Sequence, residues 1–171
     1  MKNMTKLLSD KEVIQKVLDQ ISDKTTDLGD ETWRESVDNY RSEKRFSTEL
    51  DLFQRLPIVF CPSAALAKSG SYVARDVGGV PLLAVRGKDG VVRTFYNSCR
   101  HRGMILAEGS GNASKFICRY HAWAYGLDGN LLNVSGDEGF PDLDKNSHGL
   151  IEVETQGKCG LIFVTQKKAI S

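Results

Sequence analysis

Two short motifs, Cys99-Arg100-His101 and Cys118-Arg119-Tyr120-His121, hold two of the chain's four cysteines and two of its three histidines, with sixteen residues between His101 and Cys118. Thiolates and imidazoles grouped at such spacings are metal-ligand patterns. Each motif sits at a strand end running into a turn. The spacing therefore asks for two hairpin tips side by side, each presenting one thiolate and one imidazole toward one point. That demand favours a fold built from antiparallel strand pairs.

The surrounding sequence meets it. From residue 70 to 166, short β-branched runs alternate with glycine turns, as in SYVARDVGG, VPLLAVRGKDG, VVRTFYNS and LIFVTQ. Asp89-Gly90 and Asp128-Gly129 read as hairpin turns, and Gln156 to Gly160 as a looser one. The pattern predicts a small antiparallel β-sandwich or barrel-like domain. The stretch GSGNAS reads as a loop between the two motifs.

Ahead of this lies a helical arm. Ser9 and Glu12 form a capping box, and Val13, Ile14, Val17, Leu18 and Ile21 recur at helical spacing, predicting a helix over 9–22. Trp33, Val37 and Tyr40 line a second, weaker helix to about residue 41. Leu50, Leu52, Phe53 and Leu56 suggest a third short one that stops before Pro57. The expected division is an arm over 1–56 and a β domain over 57–171.

Composition removes several function classes. Lys plus Arg is 23 against 22 for Asp plus Glu, a net charge of +1, which gives no general attraction to nucleic acid or anionic lipid. Apolar runs such as Ala64 to Ala67 and Leu161 to Val164 fall far short of the roughly 20 residues of a membrane span. The N-terminus MKNMTKLLSDKEVIQ has no continuous apolar core, so a cytoplasmic chain is expected, and there thiolates serve metals rather than disulfides. Cys61 and Cys159 read as buried small hydrophobes and His148 as a loop histidine.

Two thiolates and two imidazoles suit either one tetrahedral Zn²⁺ or a two-iron cluster whose irons differ. The order of ligands bears on the choice. A typical zinc finger groups its cysteines and then places histidines on a helix, whereas here each arm contributes one of each. In Rieske clusters two histidines replace two cysteines on one iron. With C-R-H-R-G followed by C-x-Y-H-x-W-x-Y-x-L-D-G, residues 40 to 165 resemble the Rieske domain of the large (alpha) subunit of aromatic-ring-hydroxylating oxygenases.

The resemblance implies a mainly β, Rieske-type antiparallel sandwich with two cluster-binding hairpin loops, holding a Rieske-type [2Fe–2S] cluster. It implies that Cys99 and Cys118 bind the inner iron while His101 and His121 bind the outer one. The implied role is one-electron transfer, with no substrate bond broken on this chain. Implied partners are an electron-donating ferredoxin or flavin reductase and an oxygenase catalytic domain or subunit with a mononuclear iron, in aromatic hydrocarbon catabolism. A homo-oligomer is a further implication, in which His121 hydrogen-bonds an acidic residue of a neighbouring subunit.

The mononuclear site of such oxygenases takes two histidines and a carboxylate. With His101 and His121 committed, only His148 remains, so that iron is expected on another domain or chain. An autonomous ferredoxin-like carrier between a reductase and an oxygenase, and a structural or redox-sensing module, are the alternatives.

Finer expectations attach to neighbours of the motifs. Backbone N–H groups of Arg102, Gly103 and Tyr120 are placed to meet cluster sulfides, and Gly103 permits a tight return of the chain. Arg100, Arg102 and Arg119 read either as solvated charge or as a docking patch for an acidic donor. Trp123 stands where respiratory Rieske proteins have a serine hydroxyl, which points to a potential near the low end of the Rieske range, about −150 mV. Ala122 stands where the oxygenase pattern usually has glycine, at a cost of about 1 kcal/mol if a positive φ is required.

Overall fold

The structure is a computed structural model that describes residues 8–27 and 31–166. Part of the N-terminal segment read above, residues 1–7, lies outside the described residues, as do residues 28–30 of the polar break. The chain divides into two compact units, Met1–Arg41 and Ser42–Ser171.

In the first unit, α1 (Asp10–Asp23) carries the expected capping box, with Ser9 accepting from the Glu12 backbone and the Glu12 side chain accepting from the Ser9 N–H. Lys24, in the left-handed region, ends it. The stripe Val13, Ile14, Val17, Leu18 and Ile21 is exposed. The second helix shrinks to one turn, α2 (Asp38–Arg41), leaving Trp33 and Val37 outside it and exposed. Without burial of its apolar side, a segment this short gains too little from propensity to extend.

The second unit opens with α3 (Glu43–Arg55), which begins seven residues before Leu50, where its apolar pattern starts, because residues 43–49 are polar apart from Phe46. Ser42 caps it by accepting from the Arg45 N–H, and Arg45–Glu49 and Arg55–Asp51 bridge successive turns.

Ten strands follow: β1 (Ile58–Pro62), β2 (Ser71–Val77), β3 (Val80–Arg86), β4 (Val92–Tyr96), β5 (Gly109–Asn112), β6 (Phe116–Ile117), β7 (Ala124–Tyr125), β8 (Leu131–Asn133), β9 (Glu152–Lys158) and β10 (Leu161–Thr165). They form a seven-stranded antiparallel sheet, ordered β1-β10-β9-β4-β3-β2-β5, and a three-stranded sheet β6-β7-β8. The fold is mainly antiparallel β, as expected.

β3 explains how two cores arise. Leu83 and Val85 face one side and Leu82 and Ala84 the other, and all four are fully buried, so the run reads as continuously apolar rather than alternating. One core lies between the sheets, where Leu83, Val85 and Phe95 meet Phe116, Tyr125 and Leu131. The other fills the curl of the large sheet with Phe60, Leu66, Val153, Ile162 and Val164.

Two turns share one design. In Gly87–Val91 and Gly126–Asn130, the first N–H donates to the fifth carbonyl, and the aspartate accepts from the N–H two residues on. Gly129 is required twice over: its φ is 84°, and a Cβ there would lie 2.5 Å from Phe95. The turn over 156–160 differs from its expected form. Gln156, Gly157 and Lys158 belong to β9, and the loop is the tight pair Cys159-Gly160 with φ of 50° and 75°. Cys159 is consequently exposed rather than buried, whereas Cys61 is buried as expected. The stretch Gly109–Asn112, read as loop, is an edge strand paired to β2. Its exposed GSGN sequence gives no apolar signal because backbone hydrogen bonds alone make the pairing.

Candidate metal centre

The two motifs form loops at the ends of different sheets. Cys99 follows β4 of the large sheet, and Cys118 lies between β6 and β7 of the small one. Their backbone circuits match. The Cys99 N–H donates to the Met104 carbonyl and the Gly103 N–H to the Cys99 carbonyl, each at 2.8 Å. Likewise the Cys118 N–H donates to the Trp123 carbonyl at 2.8 Å and the Ala122 N–H to the Cys118 carbonyl at 2.9 Å. Each circuit turns through a left-handed residue four places after its cysteine, Gly103 at φ 73° and Ala122 at φ 56°. The return at Gly103 and the positive φ suspected at Ala122 are thus both present, and the alanine carries strain of about 1 kcal/mol.

These circuits bury both cysteines and bring the two imidazoles together. Cys99 and Cys118 are 3% and 2% exposed, and both thiols are free. The rings of His101 and His121 lie 4.6 Å apart, crossed at 65°. Nδ1 of each imidazole is buried and has no hydrogen-bond partner among the described residues. Buried polar atoms are rarely left unpaired, so two such nitrogens, on the same two loops as two free buried sulfurs, mark a place for a group that protein atoms do not fill. Desolvation, then the neighbouring His121 and the Arg102 cation, hold the His101 imidazole below its ordinary titration range, which favours the neutral form a metal requires. Among the described residues, no three His, Cys, Asp or Glu side chains are grouped as ligands of one ion. A two-iron cluster with two protein donors per iron does not call for such a group. The donor set and the orphaned nitrogens fit a [2Fe–2S] cluster of mixed ligation.

Two positioning residues were missed in the sequence. Tyr125, fully buried, places its hydroxyl 3.3 Å from Cys99 Sγ and accepts from the Arg100 N–H at 3.0 Å. Its position within C-x-Y-H-x-W-x-Y was the available signal. Asn97, 3% exposed, accepts from the Leu106 and Ala107 N–H groups through Oδ1 and donates to the Ala107 carbonyl at 2.7 Å. It pins both ends of the first loop, and a polar residue two places before a ligand carries no such signal.

Around the centre, Trp123 lies against His101 and Tyr120 against His121, at ring separations of 4.8 Å and 3.8 Å. Arg100, Arg102 and Arg119 are exposed on the two loops, beside exposed Met104, Ile105 and Tyr120. His148 sits in a short 3₁₀ turn, with its Nδ1–H donating to the Asp144 carbonyl at 2.9 Å and the ring 6.3 Å from Trp123. It is held locally, as a loop histidine is.

Comparisons with known proteins agree with this geometry. The family model described as the Rieske [2Fe-2S] domain matches residues 57–143. The carnitine monooxygenase oxygenase subunit of Escherichia coli (strain K12) is 36% identical over 136 residues, covering 78% of this chain and 36% of that protein. The chlorobenzene dioxygenase subunit alpha of Cupriavidus sp. (strain PS12) is 41% identical over 133 residues, covering 72% and 30%. A solved quaternary ammonium Rieske monooxygenase, described for carnitine oxidation and inter-subunit electron transfer, superposes with a TM-score of 0.73 at 32% identity, covering 78% of this chain and 37% of that one. The chain thus spans about a third of the length of the curated relatives it matches. No helix among the described residues is long and apolar enough to cross a membrane. The chain belongs to the Rieske [2Fe-2S] domain family, homologous to the Rieske portion of oxygenase alpha subunits, and its cofactor is a Rieske-type [2Fe–2S] cluster.

Proposed function

We propose that this chain is the electron-relaying Rieske portion of an oxygenase system, with Cys99, His101, Cys118 and His121 as ligands. The observation that carries the reading is the pair of adjacent imidazoles whose buried Nδ1 atoms are unpartnered among the described residues, on loops that also hold two free buried thiols. The domain proper is taken as 57–171, with 1–56 as an arm.

When bound, the cluster supplies reversible storage of one electron. The chain's own groups set the conditions. Cys99 and Cys118 would hold the cluster through their buried sulfurs, and His101 and His121 through their Nδ1 atoms. Tyr125 donates its hydroxyl proton to Cys99 Sγ, an interaction that favours added negative charge. With Nδ1 as the ligating atom, Nε2 of each histidine would be left free to donate a hydrogen bond.

The acceptor we assign is a mononuclear non-heme iron on another domain or chain. A neighbouring subunit that carries that iron, with this chain as part of an oligomer, fits the inter-subunit transfer described for the similar monooxygenase. The donor is a ferredoxin or flavin reductase of acidic surface, matched by exposed Arg100, Arg102 and Arg119. Four free cysteines suit a reducing, cytoplasmic setting.

The test is iron, sulfide and EPR analysis of the purified chain, followed by recovery of its partner from the native cell. Two irons and two sulfides, lost in Cys99→Ser and Cys118→Ser, are expected. A colourless chain with zinc overturns the reading. Recovery of a reductase together with an intact oxygenase, and no separate catalytic chain, would instead make it an autonomous carrier. A midpoint potential above about +100 mV, within the Rieske span of about −150 to +300 mV, would contradict the oxygenase assignment.

A further inference from the structure

Helix α1 is well formed and uncovered. The Ser9–Glu12 capping box closes one end and left-handed Lys24 the other, yet none of its residues is buried. Val13, Ile14, Val17, Leu18 and Ile21 fall on one side by helical spacing and are 46% to 69% exposed. A helix of 14 residues is marginal in water unless its apolar side is packed, so this side calls for a cover.

Charge at the two ends of the stripe identifies that cover. Asp10, Ile14, Val17, Ile21 and Lys24 recur at alternating steps of four and three, the seam of a two-helix pair, with an acid before its apolar centre and a base after it. Both charged residues are exposed, and among the described residues neither makes a side-chain ion pair. Each lies seven residues from Val17. A twofold axis at Val17 therefore sets Asp10 of each antiparallel copy opposite Lys24 of the other, whereas a parallel pair sets like charges together at both ends. Glu12, Asp19 and Asp23 fall on the opposite side of the helix, and Lys16 is held by Asp27 at 2.7 Å.

We propose that α1 is a self-association element that pairs antiparallel with α1 of a second copy of this chain. Ile14, Val17 and Ile21 form the seam, Val13 and Leu18 flank it, and Asp10 and Lys24 close its ends. The surface uses no residue of the metal centre, so the inference stands apart from the electron-relay reading. A helix of 14 residues offers less than the about 1,000 Å² of a firm interface, so the pair is weak and concentration-dependent.

The test is sedimentation equilibrium of the full chain at low salt, over about 10 µM to 1 mM, where weak pairs become populated. A monomer–dimer equilibrium is expected in the wild type and is lost in Val17→Asp. Asp10→Lys and Lys24→Asp each put like charges at both ends of the pair and should weaken it at least about fivefold. Mixed in equal amounts, these two variants complement each other at both ends and should recover the wild-type dimer. That recovery also shows that neither variant failed by losing the helix. A wild type that stays monomeric, or that associates equally in Val17→Asp, overturns the proposal. So does a mixture that associates no better than its separate components, which would mean that something other than a second α1 covers the stripe.

Discussion

The Tyr125 hydroxyl stands 3.3 Å from Cys99 Sγ, so a buried side chain of β7 in the small sheet reaches the cysteine carried by the large one. A Cys99 sulfur bound to iron is a thiolate that can only accept, so the hydroxyl, which itself accepts from the Arg100 N–H, would direct its single proton to that sulfur. Tyr125→Phe removes a donor that favours the more negative, reduced state. The midpoint potential should fall by about 40 mV, the equivalent of about 1 kcal/mol for one electron, with the cluster retained. Protein-film voltammetry reads this directly, and an unchanged potential would leave the hydroxyl a purely structural role.

Burial, and then the hydrogen bond to Cys99, push the Tyr125 phenol well above its ordinary 10.0. The unfolded chain gives up that proton at lower pH than the native one. Above about pH 10 the native state therefore binds more protons, and stability falls as pH rises. Urea midpoints between pH 8 and 11 should decline less steeply in Tyr125→Phe. Equal slopes would assign the alkaline loss to other groups.

The matched left-handed positions predict opposite effects from opposite substitutions. Ala122→Gly should stabilise by about 1 kcal/mol, and Gly103→Ala should destabilise by a similar amount. A Cβ at Gly103 meets only Ser98 Oγ at 3.8 Å, so that change tests backbone strain without a clash. Thermal midpoints should move up and down by about 2 to 4 °C. Two shifts of the same sign would contradict the equivalence of the loops.

Asn97→Ala strips the first loop of three buried hydrogen bonds and leaves the Leu106 and Ala107 N–H groups without an acceptor. A loss of about 3 kcal/mol is expected, together with weaker iron retention on dialysis against a chelator. A loss under about 1 kcal/mol would mean that water replaces the side chain.

What the sequence revealed follows from how local each signal was. The capping box of Ser9 and Glu12 and the Asp-Gly turns are each contained within a few residues, and each appears as read. β5 was hidden because GSGN pairs through backbone alone. Cys159 was misplaced because a two-residue turn with left-handed φ ordinarily takes Asn-Gly, and cysteine in the first position reads as core. The roles of Tyr125 and Asn97 were invisible for a different reason. Each acts on residues 9 to 26 positions away, and only the folded sheets bring those together. The apolar stripe of α1 was legible as a helix, but periodicity does not say whether a stripe is covered, and here it is exposed.

Because one Cys/His loop hangs from the large sheet and the other from the small one, the two motifs are divided between two sheets joined by side-chain packing, the Tyr125 bridge and the Leu150 N–H that donates to the Gly129 carbonyl. A bound cluster is in that sense a cross-link, closing a ring between the sheets much as a disulfide closes a chain. Maturation of the holoprotein is then a fastening step, and loss of iron should loosen the three short strands before it disturbs the seven.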